Sequence, residues 1–143
     1  MNAVQELYDR SYVENNFERA DLFESLKARF DIHSALYPGS FVHVTPSFFY
    51  SEVVYVDNDK RARKFFENEK LVAELISKRK TYDSDTTFSF ISSDYSRQLE
   101  LMDSSFDLLI SQYAGFVSQS CKRYLRTGGI LLANNSHGDA GMA

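Results

Sequence analysis

The sequence is poor in the residues that staple small folds or assemble metal clusters. Cys121 is the only cysteine, which excludes an intrachain disulfide and a thiolate cluster. Its place in a helical apolar pattern predicts a buried structural thiol rather than a nucleophile. His33, His43 and His137 are scattered, with no i, i+4 pair on a helix, so no metal site is expected. Tryptophan is absent, and 12 Phe and 9 Tyr take its place, predicting a ring-rich core with some tyrosines lining a cleft. No apolar run approaches the ~20 residues of a membrane span. The segment Met1 to Glu6 lacks the basic and apolar regions of a signal peptide, so a cytoplasmic location is the expectation. A basic excess is also lacking. The net charge of -4 and pI near 5.3 give no general attraction for phosphate backbones; nucleic acid is not favoured as a partner, although a local basic patch stays open.

What is present is an ordinary globular composition, 43% hydrophobic and 25% charged over 143 residues, enough for one core. We read one domain over 1–143, with amphipathic helices over about 3–30 and a sheet domain over about 31–143. Val4, Leu7 and Tyr8, then Phe17, Ala20, Phe23, Leu26 and Phe30, fall at helical spacing, with a break and N-cap expected at Asn15-Asn16. A first strand over Ile32 to Tyr37 ends at the Pro38-Gly39 turn. A brief helix starts at Thr45-Pro46, with Thr45 as its N-cap. Val53 to Val56 forms a second strand, closed by Asp57-Asn58-Asp59. Asp59 then caps one long helix from about Lys60 to Lys80. Phe88 to Ser92 alternates as a third strand. A helical turn or two fits Ser96 to Met102, before a fourth strand over Phe106 to Ile110. A helix from about Phe116 to Arg126 ends at Gly128-Gly129, and the fifth strand is Ile130 to Ala133. The sequence contains no internal repeat.

Strands alternating with helices predict an α/β fold, a doubly wound parallel sheet of about five strands, with ligands outside the carboxyl ends of the strands. Those ends carry Pro38-Gly39-Ser40, Asp57-Asn58, Asp94-Tyr95 and Ser111-Gln112-Tyr113. An acid closing the second strand is placed to accept both hydroxyls of a ribose; the competing reading is that Asp57-Asn58-Asp59 caps the next helix.

On these residues the chain resembles the class I S-adenosylmethionine-dependent methyltransferases, a Rossmann-like family, over roughly Ile32 to Asn134. The resemblance implies S-adenosylmethionine as cofactor. Tyr37, Pro38, Gly39 and Ser40 would lie at its methionine part, Asp57 and Asn58 at the ribose, Asp94 and Tyr95 at the adenine, and Ser111 near the methyl group. The phrase Tyr124-Leu125-Arg126-Thr127-Gly128-Gly129-Ile130-Leu131-Leu132 resembles the family's turn into the fifth strand. Gln112, Tyr113 and His137 are candidates for orienting an acceptor. The family's Asn or Asp followed by Pro-Pro and an aromatic is missing after the fourth strand, which leaves the methyl acceptor unassigned. The first loop has Gly39 alone where the family has two or three glycines. The closing hairpin of the family has no counterpart, so the chain is either a fragment or exposes its fifth strand as an edge, through which a homodimer could form. The alternative is a non-catalytic or degenerate Rossmann-like module that binds a nucleoside or a partner protein. A nicotinamide dehydrogenase needs more glycines. A phosphoacceptor receiver domain needs an acceptor Asp and a Lys that the matching strand ends do not supply.

Overall fold

The structure, a computed structural model, describes residues 2–94, 97–111 and 120–133. The first apolar period forms α1, Ala3–Tyr8, capped by the Asn2 side chain, which accepts from the Gln5 N–H at 2.7 Å. It runs on into a π turn, Asp9–Val13, where the Glu14 N–H reaches the Asp9 carbonyl at 2.8 Å. The expected break is present, with Asn16 at φ 58°. The second helix, α2, spans Ala20–Arg29 and follows Arg19, at φ 63°, without a side-chain cap. Phe17, expected on a helix face, therefore lies outside the helix and is 47% exposed.

Among the described residues five strands follow: β1 Ser34–Pro38, β2 Glu52–Asp57, β3 Thr87–Ser92, β4 Phe106–Ser111 and β5 Leu125–Ala133. They form one sheet in the order β3-β2-β1-β4-β5 with every pair parallel, the doubly wound α/β arrangement that the alternation predicts. All five residues of β1 are buried, as a central parallel strand requires. Side-chain alternation sends Ala35, Tyr37, Val53, Tyr55, Leu108 and Ile110 to one face, where α1, α2 and the two helices after β2 cover them. Leu36, Val56 and Leu109 pack on the other face with Leu99, Cys121 and Tyr124. Cys121 is buried, as its apolar pattern predicts, and burial pushes its thiol pKa up to about 11.

The expected long helix is two, α3 Lys60–Glu67 and α4 Glu69–Arg79, broken at Asn68 (φ -84°, ψ 60°). The reason is phase. At 3.6 residues per turn, the buried trio Ala62, Phe65, Phe66 and the trio Val72, Leu75, Ile76 would sit roughly 80° apart on one straight helix. The break turns both toward the sheet. Asp59 caps α3 as expected, accepting from the Arg61 N–H at 2.7 Å. Thr45 does not cap the 3-10 turn Thr45–Phe48, where Val44 holds that position. Its hydroxyl instead meets the buried Tyr8 hydroxyl at 2.6 Å, while Tyr8 donates to Glu18 at 2.6 Å. No helix forms over 97–102; there the Leu99 N–H is held by the Tyr124 hydroxyl at 2.8 Å.

The largest departure is at the fifth strand. The expected helix to Arg126 has given way by Lys122 to a 3-10 turn, Lys122–Tyr124, and β5 already begins at Leu125. Gly128, at φ 81°, does take the left-handed conformation, but inside a bulge: Leu125 faces Phe106, whereas Ile130 faces Leu108. The bulge sends the Arg126 guanidinium to the Asp107 carboxylate at 2.6 Å. The other oxygen of Asp107 accepts the His33 and Ser34 N–H groups at 2.8 and 3.2 Å, tying β1, β4 and β5 together. Partial burial opposes ionisation of Asp107, but these amides and Arg126 outweigh it and hold the carboxyl below its usual range. A Cβ on Gly129 would fall 2.6 Å from Leu125 Cδ1 and 2.9 Å from the Arg126 carbonyl oxygen. The leucine end can swing away and the carbonyl cannot. Gly129→Ala is therefore expected to lower unfolding free energy by about 1–3 kcal/mol in a urea titration; an unchanged midpoint would mean the bulge adapts freely.

Candidate functional site

The turn after β1 folds over the end of β2. Gly39, at φ 68°, donates its N–H to the Val56 carbonyl at 2.7 Å. Phe41, at φ 48°, is held in a conformation that costs a non-glycine residue roughly 1–3 kcal/mol and occurs preferentially at functional sites. Its N–H donates to Asp57 Oδ2 at 2.8 Å, and the Asp59 N–H donates to Asp57 Oδ1 at 2.9 Å. Asp57 is half-buried. A carboxylate has about four lone-pair sites, so these two amides orient the group and leave acceptor capacity on both oxygens. Within the acidic triplet it is Asp59 that caps α3.

Arg61 forms the rim of this turn. Its guanidinium pairs with Asp59 at 3.1 Å and lies 4.8 Å from the centre of the Phe41 ring. The hydrogen bond from Arg61 holds the Asp59 carboxyl below its usual range. Beside this turn a cleft of about 360 Å³ is lined by Ser11, Tyr12, Phe17, Gly39 and Phe41, within the size range of small-ligand sites. Three of its five lining residues come from the N-terminal region, which helical periodicity could not dock onto the sheet. Ser11, Tyr12, Phe17 and Phe41 are thus the residues that sequence patterns miss; the only local signal is the turn chemistry around Gly39.

A buried histidine joins that N-terminal wall to the turn. The Tyr37 hydroxyl lies 2.7 Å from His43 Nδ1, and His43 Nε2 lies 2.9 Å from the Glu18 carbonyl. Because a carbonyl can only accept, Nε2 carries the proton and Nδ1 accepts from Tyr37. Tyr12 stacks on the imidazole with ring centres 4.4 Å apart. Burial, outweighing the opposing Glu18 contacts, lowers the His43 pKa to about 4, so the ring is neutral.

The sequence-predicted residues divide accordingly. Gly39, Ser40 and Asp57 meet at the carboxyl ends of β1 and β2, with Asn58 exposed beside them. Tyr37 and Pro38 are buried, and the Tyr37 side chain is turned into the core toward His43. Asp94 is exposed two residues past β3, next to the β2 end, where the Ser93 N–H reaches the Asp57 carbonyl at 3.1 Å. Ser111 ends β4 and is buried. Leu36 pairs with Leu109, so Ser111 and Pro38 close adjacent strands across the point where strand order reverses. Tyr95, Gln112, Tyr113 and His137 lie outside the described residues. Among the described residues no three His, Cys, Asp or Glu side chains converge as a metal site, and no helix is long and apolar enough to cross a membrane.

No protein-family model matches this sequence, and no curated protein matches it. Solved structures do. A Corynebacterium glutamicum protein superposes with a TM-score of 0.59 at 14% identity, over 92% of this chain and 66% of its own. The [4+2]-cyclase SpnF gives 0.55 at 14% identity, over 78% of this chain and 43% of its own. The YcgJ protein from Bacillus subtilis gives 0.54 at 18% identity, over 81% and 49%. The chain thus spans about half the length of the last two. What the match shows is the fold: a Rossmann-like α/β sheet.

Proposed function

We propose that the chain binds S-adenosylmethionine at the carboxyl ends of β1 and β2 and serves methyl transfer. The observation that carries this reading is the paired arrangement of Gly39 and Asp57, a side-chain-free turn and an amide-oriented carboxylate with acceptor capacity to spare, beside an apolar cleft. The donor set fits the cofactor's chemistry. Asp57 accepts the ribose hydroxyls, Asn58 and Asp94 border the nucleoside, and Gly39 and Ser40 leave backbone room for the methionine part, with Tyr12, Phe17 and Phe41 excluding water. When bound, S-adenosylmethionine supplies an electrophilic methyl group on sulfur. The chain's own part is to hold that group in position, since transfer to a good nucleophile depends chiefly on geometry.

The match with a cyclase of the same fold marks the limit of fold-level inference, because one scaffold carries several chemistries. Calorimetric titration of the chain with S-adenosylmethionine and S-adenosylhomocysteine tests the reading directly. Saturable one-to-one binding of both is expected. Failure of both to bind would favour the alternative, a Rossmann-like module that docks a partner protein.

A further inference from the structure

A second cavity lies on the other side of the Arg61–Phe41 pair. It is a groove of about 320 Å³ between α1, with its π turn, and α3. Its lining is apolar, with exposed Ala3 and half-buried Leu7 lying over the buried Val4 and Phe65. Its rim is cationic, with Arg10 on one side and Arg61 and Lys64 on the other, and no carboxylate among its lining residues. This concentration is out of keeping with a chain of net charge -4. Arg61 is neutralised by Asp59, but Arg10 and Lys64 are exposed and have no ion-pair partner among the described residues.

Two exposed cations above an apolar trough define the complementary ligand, a hydrocarbon with a single anionic head. An inorganic anion would leave the apolar lining unused. We infer that this groove binds a single-chain fatty carboxylate, its tail along Ala3 and Leu7 and its head at the cationic rim of Arg10 and Lys64. The groove shares no lining residue with the Gly39–Phe41 cleft and does not depend on what that cleft binds.

The test is calorimetric titration of the chain with sodium dodecanoate below its micellar concentration. Saturable one-to-one binding is expected, at least tenfold weaker for octanoate and for dodecyltrimethylammonium, which lack the tail length and the negative head. The double variant Arg10→Glu/Lys64→Glu should bind dodecanoate at least tenfold more weakly. Both side chains are exposed, and the neutral pair Arg10→Gln/Lys64→Gln gives a milder version of the same loss should charge reversal disturb folding. Absence of saturable binding, or equal binding by folded variants of both kinds, overturns the assignment. So does displacement of dodecanoate by a short single-stranded oligonucleotide that binds more tightly, which would make the basic face of α3 a nucleic-acid surface.

Discussion

Asp57→Ala is expected to weaken S-adenosylmethionine binding about a hundredfold or more while the sheet stays folded. Each hydrogen bond to a charged acceptor contributes about 1.5–3 kcal/mol, and a ribose offers two, so their loss corresponds to at least two powers of ten. The structure adds a second consequence. The Phe41 and Asp59 N–H groups lose their acceptor as well, and the strained Phe41 turn loses the bond that holds it over β2. A fall in unfolding free energy of about 1–3 kcal/mol should accompany the binding defect. Asp57→Asn separates the two effects: one amide oxygen can still accept a backbone N–H, yet the charge that strengthens the ribose bonds is gone. Titration calorimetry and urea unfolding on both variants distinguish the roles. Undiminished affinity in folded Asp57→Ala would remove Asp57 from the binding site.

The second large effect is acid sensitivity. His43 is neutral in the folded chain, with its pKa lowered to about 4 by burial, whereas an unfolded histidine titrates near 6.5. Below pH 6.5 the unfolded state therefore takes up a proton that the folded state refuses, and stability falls as pH falls. The contribution of His43 is fully present above pH 6.5 and is lost progressively down to about pH 4, by an amount on the order of 3 kcal/mol. Unfolding free energy measured by urea at pH 7, 6, 5 and 4 should trace this slope. His43→Gln keeps a donor for the Glu18 carbonyl and an acceptor for Tyr37, so it should flatten the curve over that interval. A slope that survives the substitution would assign the effect to carboxylates instead. Because Tyr12 stacks on His43 and also lines the cleft, protonation should loosen the cleft wall along with the fold.

Much of the architecture was legible because it is encoded locally. The run Val53 to Val56 has the apolar continuity of a doubly covered strand, and Asp59 has the short acceptor a helix start needs; both read correctly without neighbours. Where a local rule met a non-local demand, the rule lost. Thr45 has the chemistry of a cap, yet the buried Tyr8 hydroxyl takes its side chain. Gly128 has the conformational freedom of a helix end, yet pairing with β4 extends β5 past it and uses that freedom for a bulge.

The sequence by itself determined the order of the strands, the parallel sheet, and the acid at the end of β2. Periodicity and turn chemistry depend on residues within a few positions of one another, and these features need nothing more. Only the tertiary structure decided that Ser11, Tyr12 and Phe17 wall a cleft beside Gly39, that His43 is buried and neutral, and that Arg10 and Lys64 line one apolar groove. Those outcomes depend on which faces of distant segments meet, and that choice is made by the burial of apolar surface across the whole chain, which no local pattern records.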